Sequence, residues 1–157
     1  MIDSEGFRAN VGIIVCNDNN QLLWCRRKGT VDAWQFPQGG MGEHETCEQA
    51  MYRELHEELG LAASAVQLVA CTKSWLRYTL PKRFQRLDQK PLCIGQKQKW
   101  FLLRLLADES DIKLDLSPKP EFEQWCWVEP DYPAKHVISF KRNVYKRALN
   151  ELQHFLR

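Results

Sequence analysis

No apolar run in this sequence approaches the roughly 18 residues needed to cross a bilayer as a helix. Nor is there a Cys-x-x-Cys pair. The six cysteines (Cys16, Cys25, Cys47, Cys71, Cys93 and Cys126) are scattered singly, which argues against zinc and against a disulfide framework and reads most simply as small core residues. The first residues carry Asp3 and Glu5 with neither a basic start nor a hydrophobic stretch, so no secretory signal is read there; the expectation is a cytoplasmic protein without a membrane partner. Internal repeats and low-complexity tracts are missing too. Net charge is only +2 with 44% hydrophobic residues, so composition gives no ground for disorder, and 157 residues are expected to form a single domain, 1–157.

What charge there is lies sorted. Basic residues gather at Arg26-Arg27-Lys28, at Arg77, Lys82, Arg83 and Arg86, at Lys97 and Lys99, and at Lys141-Arg142 with Lys146-Arg147, while the acids concentrate between Glu43 and Glu58. A nearly neutral chain sorted in this way suits an enzyme that holds cations in one place and phosphates in another.

The β-branched run from Asn10 to Cys16, the Asn17-Asp18-Asn19-Asn20 turn and the segment from Gln21 to Arg26 read as a hairpin. Residues 34–40 read as a loop, because Pro37 lacks a ladder donor and Gly39-Gly40 admit unusual backbone angles. Thr46 with Gln49 forms a capping box, and Cys47, Ala50, Met51, Leu55 and Leu59 recur at helical spacing until Gly60, predicting a helix over 46–59. Strands are expected at 66–72, 74–78, 100–106 and 124–128, with a long basic connection over 79–96. A closing helix at 141–156 presents Val144, Tyr145, Ala148, Leu149, Leu152, Phe155 and Leu156 on one face. The fold class is therefore α/β, a mixed sheet packed between helices.

Chemistry is densest in Arg53-Glu54-Leu55-His56-Glu57-Glu58-Leu59-Gly60. Helical spacing sets Glu54, Glu57 and Glu58 on neighbouring positions of one surface, where like charges cost a few tenths of a kcal/mol per pair unless something offsets them. Arg53 is the only permanent positive charge among them. A divalent cation would balance the rest, and carboxylate oxygens are hard ligands suited to Mg2+ or Mn2+, ions that also bind phosphates. The plain alternative is a solvated acidic face.

Reading on from Gly39, the chain shows a glycine, five residues, Glu45, seven residues, Arg53-Glu54-Leu55, one residue, Glu57-Glu58, one residue, then Gly60-Leu61. This resembles a complete Nudix box, and agreement at nine positions by chance is on the order of one in a billion at ordinary residue frequencies. The resemblance implies an α/β/α sandwich with a loop-helix-loop catalytic motif, with Glu54, Glu57 and Glu58 holding Mg2+ (Mn2+ or another divalent cation substituting) and the Gly39 carbonyl joining them. By the same carry-over Glu45, Arg53 and Gly60 organise the motif. The resemblance further implies that Glu121 supplies an acidic ligand or base from a distant loop, with Glu123 competing for that role and a surface acid as the plain alternative.

Outside the box, Gly6 to Gly12, Trp34 to Gly40, Trp75 to Tyr78, Ile94 to Phe101 and Ser139 to Arg142 are together similar to the bacterial RNA pyrophosphohydrolases, also described as dinucleoside polyphosphate hydrolases. That likeness implies removal of pyrophosphate from the 5′-triphosphate end of mRNA, leaving a monophosphate, with diphosphate ends also cut. It implies Arg8 and Lys99 as phosphate partners, and Arg27, Phe140 and Lys141 around a base. The plain alternatives are a core residue for Phe140 and solvated strand ends for Arg8, Arg27 and Lys99. Trp34 is expected to brace its loop, and His44 and His56 to be exposed. Some relatives continue into a basic tail; with the sequence given ending at Arg157, no tail is expected to add RNA affinity. The rival functions are a dinucleoside polyphosphate hydrolase, sharing the anhydride and base but lacking the RNA chain, and an idle RNA-binding module, against which the intact glutamates argue. No regulatory protein partner is identified by these residues.

Overall fold

A computed structural model describes residues 1–157, and its centre is the β-branched run, as β1 (Phe7–Cys16). Along one edge β1 runs parallel to β7 (Gly95–Leu105), from Phe7 opposite Gly95 to Cys16 opposite Arg104. Its other edge is shared. At the end of β1 a turn leads back into β2 (Leu22–Arg27), closed by the Asn17 side chain accepting from the Asn19 and Gln21 N–H groups at 3.0 Å each. Near the start, β4 (Gln38–Gly40) pairs antiparallel with β1. Strand β3 (Trp34–Gln35) adds to β2, as does β8 (Phe122–Val128), while β5 (Val66–Cys71) and β6 (Leu76–Thr79) pair antiparallel with β7. The result is one eight-stranded mixed sheet.

Period-two alternation divides the core between the two faces of that sheet. Val11, Ile13, Val15, Leu23, Phe101 and Leu103 pack beneath α1 (Cys47–Leu59), together with Ala50, Met51, Leu55 and Leu59 of that helix. The opposite face carries Ile14, Leu22, Trp24, Trp100 and Leu102, covered by Val144, Tyr145, Ala148, Leu149 and Leu152 of the last helix. Gly12 makes room for this second layer: a Cβ there would sit 2.4 Å from the Trp100 ring. The expected α/β/α sandwich is what forms, and none of its helices is long and apolar enough to cross a membrane.

Several boundaries differ from the sequence reading. Residues 34–40 form β3 and β4 rather than a loop, because Pro37 turns its acceptor toward the sheet: its carbonyl takes the Ile13 N–H at 2.9 Å, and no donor is needed there. Strand β7 starts at Gly95, so the connection spans only 80–94; its glutamine- and lysine-rich beginning is held by ladders to β1 and β6 on both sides. A short helix α2 (Pro133–His136) was not foreseen, and α3 (Arg142–Leu152) ends early in a tighter turn over Gln153–Phe155. Phe155 is therefore exposed instead of continuing the buried stripe. All six cysteines are free; Cys16 and Cys25 are the buried pair, whereas Cys71 is exposed and so is not a core residue.

Candidate active site

Helix α1 begins and ends as its sequence dictates. Thr46 accepts from the Gln49 N–H at 3.1 Å while the Gln49 side chain accepts from the Thr46 N–H at 2.9 Å, and Gly60 closes the helix at φ +67°. A side chain at Gly60 would also meet Lys113 at 2.8 Å. Between these caps the buried positions are Ala50, Met51, Glu54, Leu55, Glu58 and Leu59. Two carboxylates thus ride on the margin of the apolar stripe and are carried into the protein by its burial.

Arg53 organises them. Its Nε and Nη2 donate to the two oxygens of Glu45 at 2.7 and 2.9 Å, Nη2 also reaches the Gly40 carbonyl at 2.8 Å, and Nη1 donates to Glu54 at 2.9 Å and Glu57 at 3.3 Å. The fork-on-fork pairing, with a further bond from the Gly42 N–H at 2.6 Å, holds the Glu45 carboxyl down at about 2. One guanidinium therefore ties the loop, the edge strand β4 and two of the three clustered acids together.

Ligand atoms of Glu54, Glu57 and Glu58 all lie within 4.8 Å of one another. Burial raises the Glu54 carboxyl above its ordinary value against the pull of Arg53. Glu58 is pushed up to about 7, first by burial and then by the charges of Glu121 and Glu54. Its Oε2 is buried without a hydrogen-bond partner. Gly39, on the strand facing this helix, has no room for a Cβ, which would fall 2.0 Å from the Glu54 carboxyl carbon. A crowded, partly buried set of hard oxygens with one oxygen unsatisfied is costly alone and fits a divalent cation.

Glu121 belongs to the same electrostatic cluster. Burial raises its carboxyl while Arg27 and Lys141 lower it, and its charge is felt by Glu58 and Glu54. Glu123 does not compete for that place: the strand irregularity at Arg26/Arg27 turns it to an ion pair with Arg26 at 2.6 Å.

On the α3 side of the sheet, Arg27, Phe140 and Lys141 come together around a cavity of about 460 Å³, with Trp34, Tyr78 and Phe84 among its walls. The Phe140 ring stands 5.8 Å from Tyr78 and 5.7 Å from Phe84. Lys141 is buried, donating to Gln35 and Gln38 at 3.3 Å each, and burial together with Arg27 lowers its ammonium to about 8. Because Arg27 and Lys141 both act on Glu121, this cavity and the carboxylates are electrostatic neighbours. Arg8 lines a different cavity. Lys99 is held elsewhere, its Nζ donating to the Lys73 carbonyl at 2.5 Å and lying 5.5 Å from the Trp75 ring, with no acid of the cluster among its partners. Trp34 is a cavity wall rather than only a brace, and His44 and His56 are exposed as expected. The sequence reading gave no role to Tyr78, Gln35, Gln38 or Phe84, although Gln35, Gln38 and Tyr78 lie in segments that carried the resemblance; Phe84 stood out only as an aromatic residue in a basic connection.

The layers and the cluster define a class: an α/β/α sandwich whose central helix presents carboxylates to a glycine-bearing edge strand. A family profile described as NUDIX domain matches residues 6–148, and the chain belongs to that family. A protein of Pseudomonas paraeruginosa named RNA pyrophosphohydrolase is 59% identical over 152 residues, covering 97% of this chain and 95% of that one. Its namesake in Cellvibrio japonicus is also 59% identical over 152 residues, with 97% and 89% covered. Among solved structures, the E. coli dihydroneopterin triphosphate pyrophosphohydrolase shares the fold at a TM-score of 0.69 and 18% identity, over 92% of this chain and 98% of that one. A C. elegans Ap4A hydrolase does so at 0.64 and 16%, over 94% and 99%.

Proposed function

We propose that this protein is an RNA pyrophosphohydrolase, a metal-dependent hydrolase that removes pyrophosphate from the 5′-triphosphate end of mRNA and leaves a monophosphate, cutting diphosphate ends as well. The observation that carries the reading is the joining of two sites through Glu121: a carboxylate cluster fit for cations, and a cationic, aromatic cavity fit for a nucleotide. The name borne by its bacterial relatives supports the same conclusion. Residues 1–157 act as one domain, working in the cytoplasm where mRNA is met.

Glu54, Glu57, Glu58 and Glu121 would hold Mg2+, or Mn2+ in its place, together with the Gly39 carbonyl. When bound, the cation supplies an activated water and charge neutralisation at the phosphate oxygens. The chain's own residues do the rest. Arg53 fixes the rotamers of Glu54 and Glu57 and keeps them together against repulsion. A base enters between the Arg27 guanidinium and the Phe140 ring, as single-stranded RNA is commonly held, and the Lys141 ammonium meets a phosphate or a base acceptor beside it. Held there, the nucleotide brings its phosphates toward Glu121 and the helix.

The test is pyrophosphate release from 5′-triphosphorylated RNA compared with cleavage of diadenosine polyphosphates, with and without Mg2+. Efficient, Mg2+-dependent release from RNA is expected, and a strong preference for the dinucleotides would replace the RNA reading with that rival. Glu57→Gln should lower turnover by at least ~100-fold while leaving the fold and RNA binding intact, because the half-exposed Glu57 contributes little to the core. Normal activity in that variant would sink the assigned metal site, and RNA binding without any turnover in the parent would leave only a binding module.

A further inference from the structure

Away from the carboxylates and the base cavity, sulfur gathers at the start of α1. The Cys47 Sγ lies 3.8 Å from the Met41 Sδ, and both side chains pack against the core layer beneath that helix. Cys71 joins them from the sheet. It pairs directly with Phe101 across β5 and β7, so its side chain leaves the same face as Phe101, the face that α1 covers. The Cys71 thiol feels the charge of Cys47, and both thiols feel the same Lys99 ammonium.

These donors share one chemistry. Thiolates and thioethers are soft ligands and select Cu(I) over the hard cations that carboxylates hold. At a metal–thiolate length of ~2.3 Å, two sulfurs 3.8 Å apart subtend about 110° at a shared ion, an angle suited to a three- or four-coordinate centre. Charge points the same way. Cu(I) with two thiolates and a neutral thioether carries a single negative charge, which the Lys99 ammonium balances; a divalent ion would leave the group positive. Cys47 is also the first residue of α1, where the helix dipole favours a negative sulfur. Burial nevertheless raises both thiols, Cys71 to about 11, so each is protonated at neutral pH and an entering ion must displace both protons. Cys71 is exposed and gives that ion a way in.

We propose that Met41, Cys47 and Cys71 form a soft-metal site for Cu(I), separate from the hard carboxylate site farther along the same helix. Binding is a proton exchange: two S–H bonds give their protons to solvent, two copper–thiolate bonds form beside the thioether contact, and copper stays Cu(I). Met41 and Cys47 bracket the loop that carries Glu45, so the ion closes this loop at its two ends and ties the first turn of α1 to β5. The site is independent of the RNA reading.

The experiment titrates the reduced full chain, without oxygen, with Cu(I) supplied from a coloured Cu(I) chelator, and follows the chelator's colour and the protons released. Cys47→Ser, Cys71→Ser and Met41→Leu are compared with Cys93→Ser, whose thiol lies in the 80–94 connection against the Gly95 carbonyl at 3.2 Å. Met41→Leu nearly conserves volume and so keeps the fold. The parent is expected to take one Cu(I) per chain and to release two protons at neutral pH, and Zn2+ should not displace the ion. Each serine variant should lose more affinity than the ~100-fold that even an outer partner of a metal ligand costs, and Met41→Leu about tenfold; Cys93→Ser should match the parent. Undiminished affinity in Cys47→Ser, Cys71→Ser or Met41→Leu, or an equal loss in Cys93→Ser, would reduce the binding to scattered thiols and overturn the site.

Discussion

Replacing Gly39 by alanine adds one methyl group at the point where β4 meets α1, and the outcome follows from distances. The new Cβ would stand 2.0 Å from the Glu54 carboxyl carbon and 2.2 Å from its Oε1, whereas ordinary contact begins at 3.4 Å, so one partner must retreat by about 1.4 Å. Glu54 cannot swing aside freely, since it is buried and tied to Arg53 at 2.9 Å. Nor is the backbone of Gly39 an obstacle to alanine, because its φ is not positive. The cost therefore falls on the carboxylate position. A displacement of about 1 Å in a catalytic constellation lowers the rate on the order of 100-fold, and overpacking costs about 1–3 kcal/mol of stability. Gly40 supplies the control: a Cβ there meets nothing within 4 Å, so Gly40→Ala should unfold at the temperature of the parent. Mg2+-dependent pyrophosphate release and thermal unfolding, measured on both variants, decide the matter. A Gly39→Ala enzyme within about threefold of the parent rate would refute the idea that this glycine exists to admit Glu54.

Glu58→Gln separates stability from function: with its Oε2 buried and unpartnered, removing the charge should raise the melting temperature of the metal-free protein, yet abolish the further rise that Mg2+ gives the parent by binding the native state. A metal-dependent rise that survives the substitution would remove Glu58 from the cation site. For Lys141, burial and Arg27 lower the native ammonium from its ordinary 10.5 to about 8. As pH rises through 8 the native state loses this proton first, so RNA affinity should fall while the free protein gains stability up to about pH 10.5, where the unfolded chain loses it too. Lys141→Arg, which stays charged, should bind RNA with no step near pH 8; a step that persists would assign the titration elsewhere.

The glutamate helix was legible because its signals are local. Thr46, Gln49 and Gly60 set its ends, and the three-and-four spacing of Glu54, Glu57 and Glu58 follows from helix geometry, so bounds and cluster both came out as read. The Nudix spacing likewise marked Glu45 and Arg53 before their bidentate pairing was visible. Strand ends were harder. Gly95, Gln96 and Lys97 do not look like sheet residues, and they extend β7 only because β1 and β6 wait on either side. The two short strands around Pro37 were hidden for the same reason.

What the sequence determined alone is the carboxylate cluster: a helix caps itself, and residues three and four apart share a surface wherever the helix sits. Which carboxylate is buried without a partner, whether Glu121 or Glu123 joins it, and how Arg27, Phe140 and Lys141 meet around one cavity were decided by tertiary structure. Those residues lie far apart in the chain, and their encounter is set by strand order, register and one irregularity in β8, which depend on non-local pairing that no local pattern encodes.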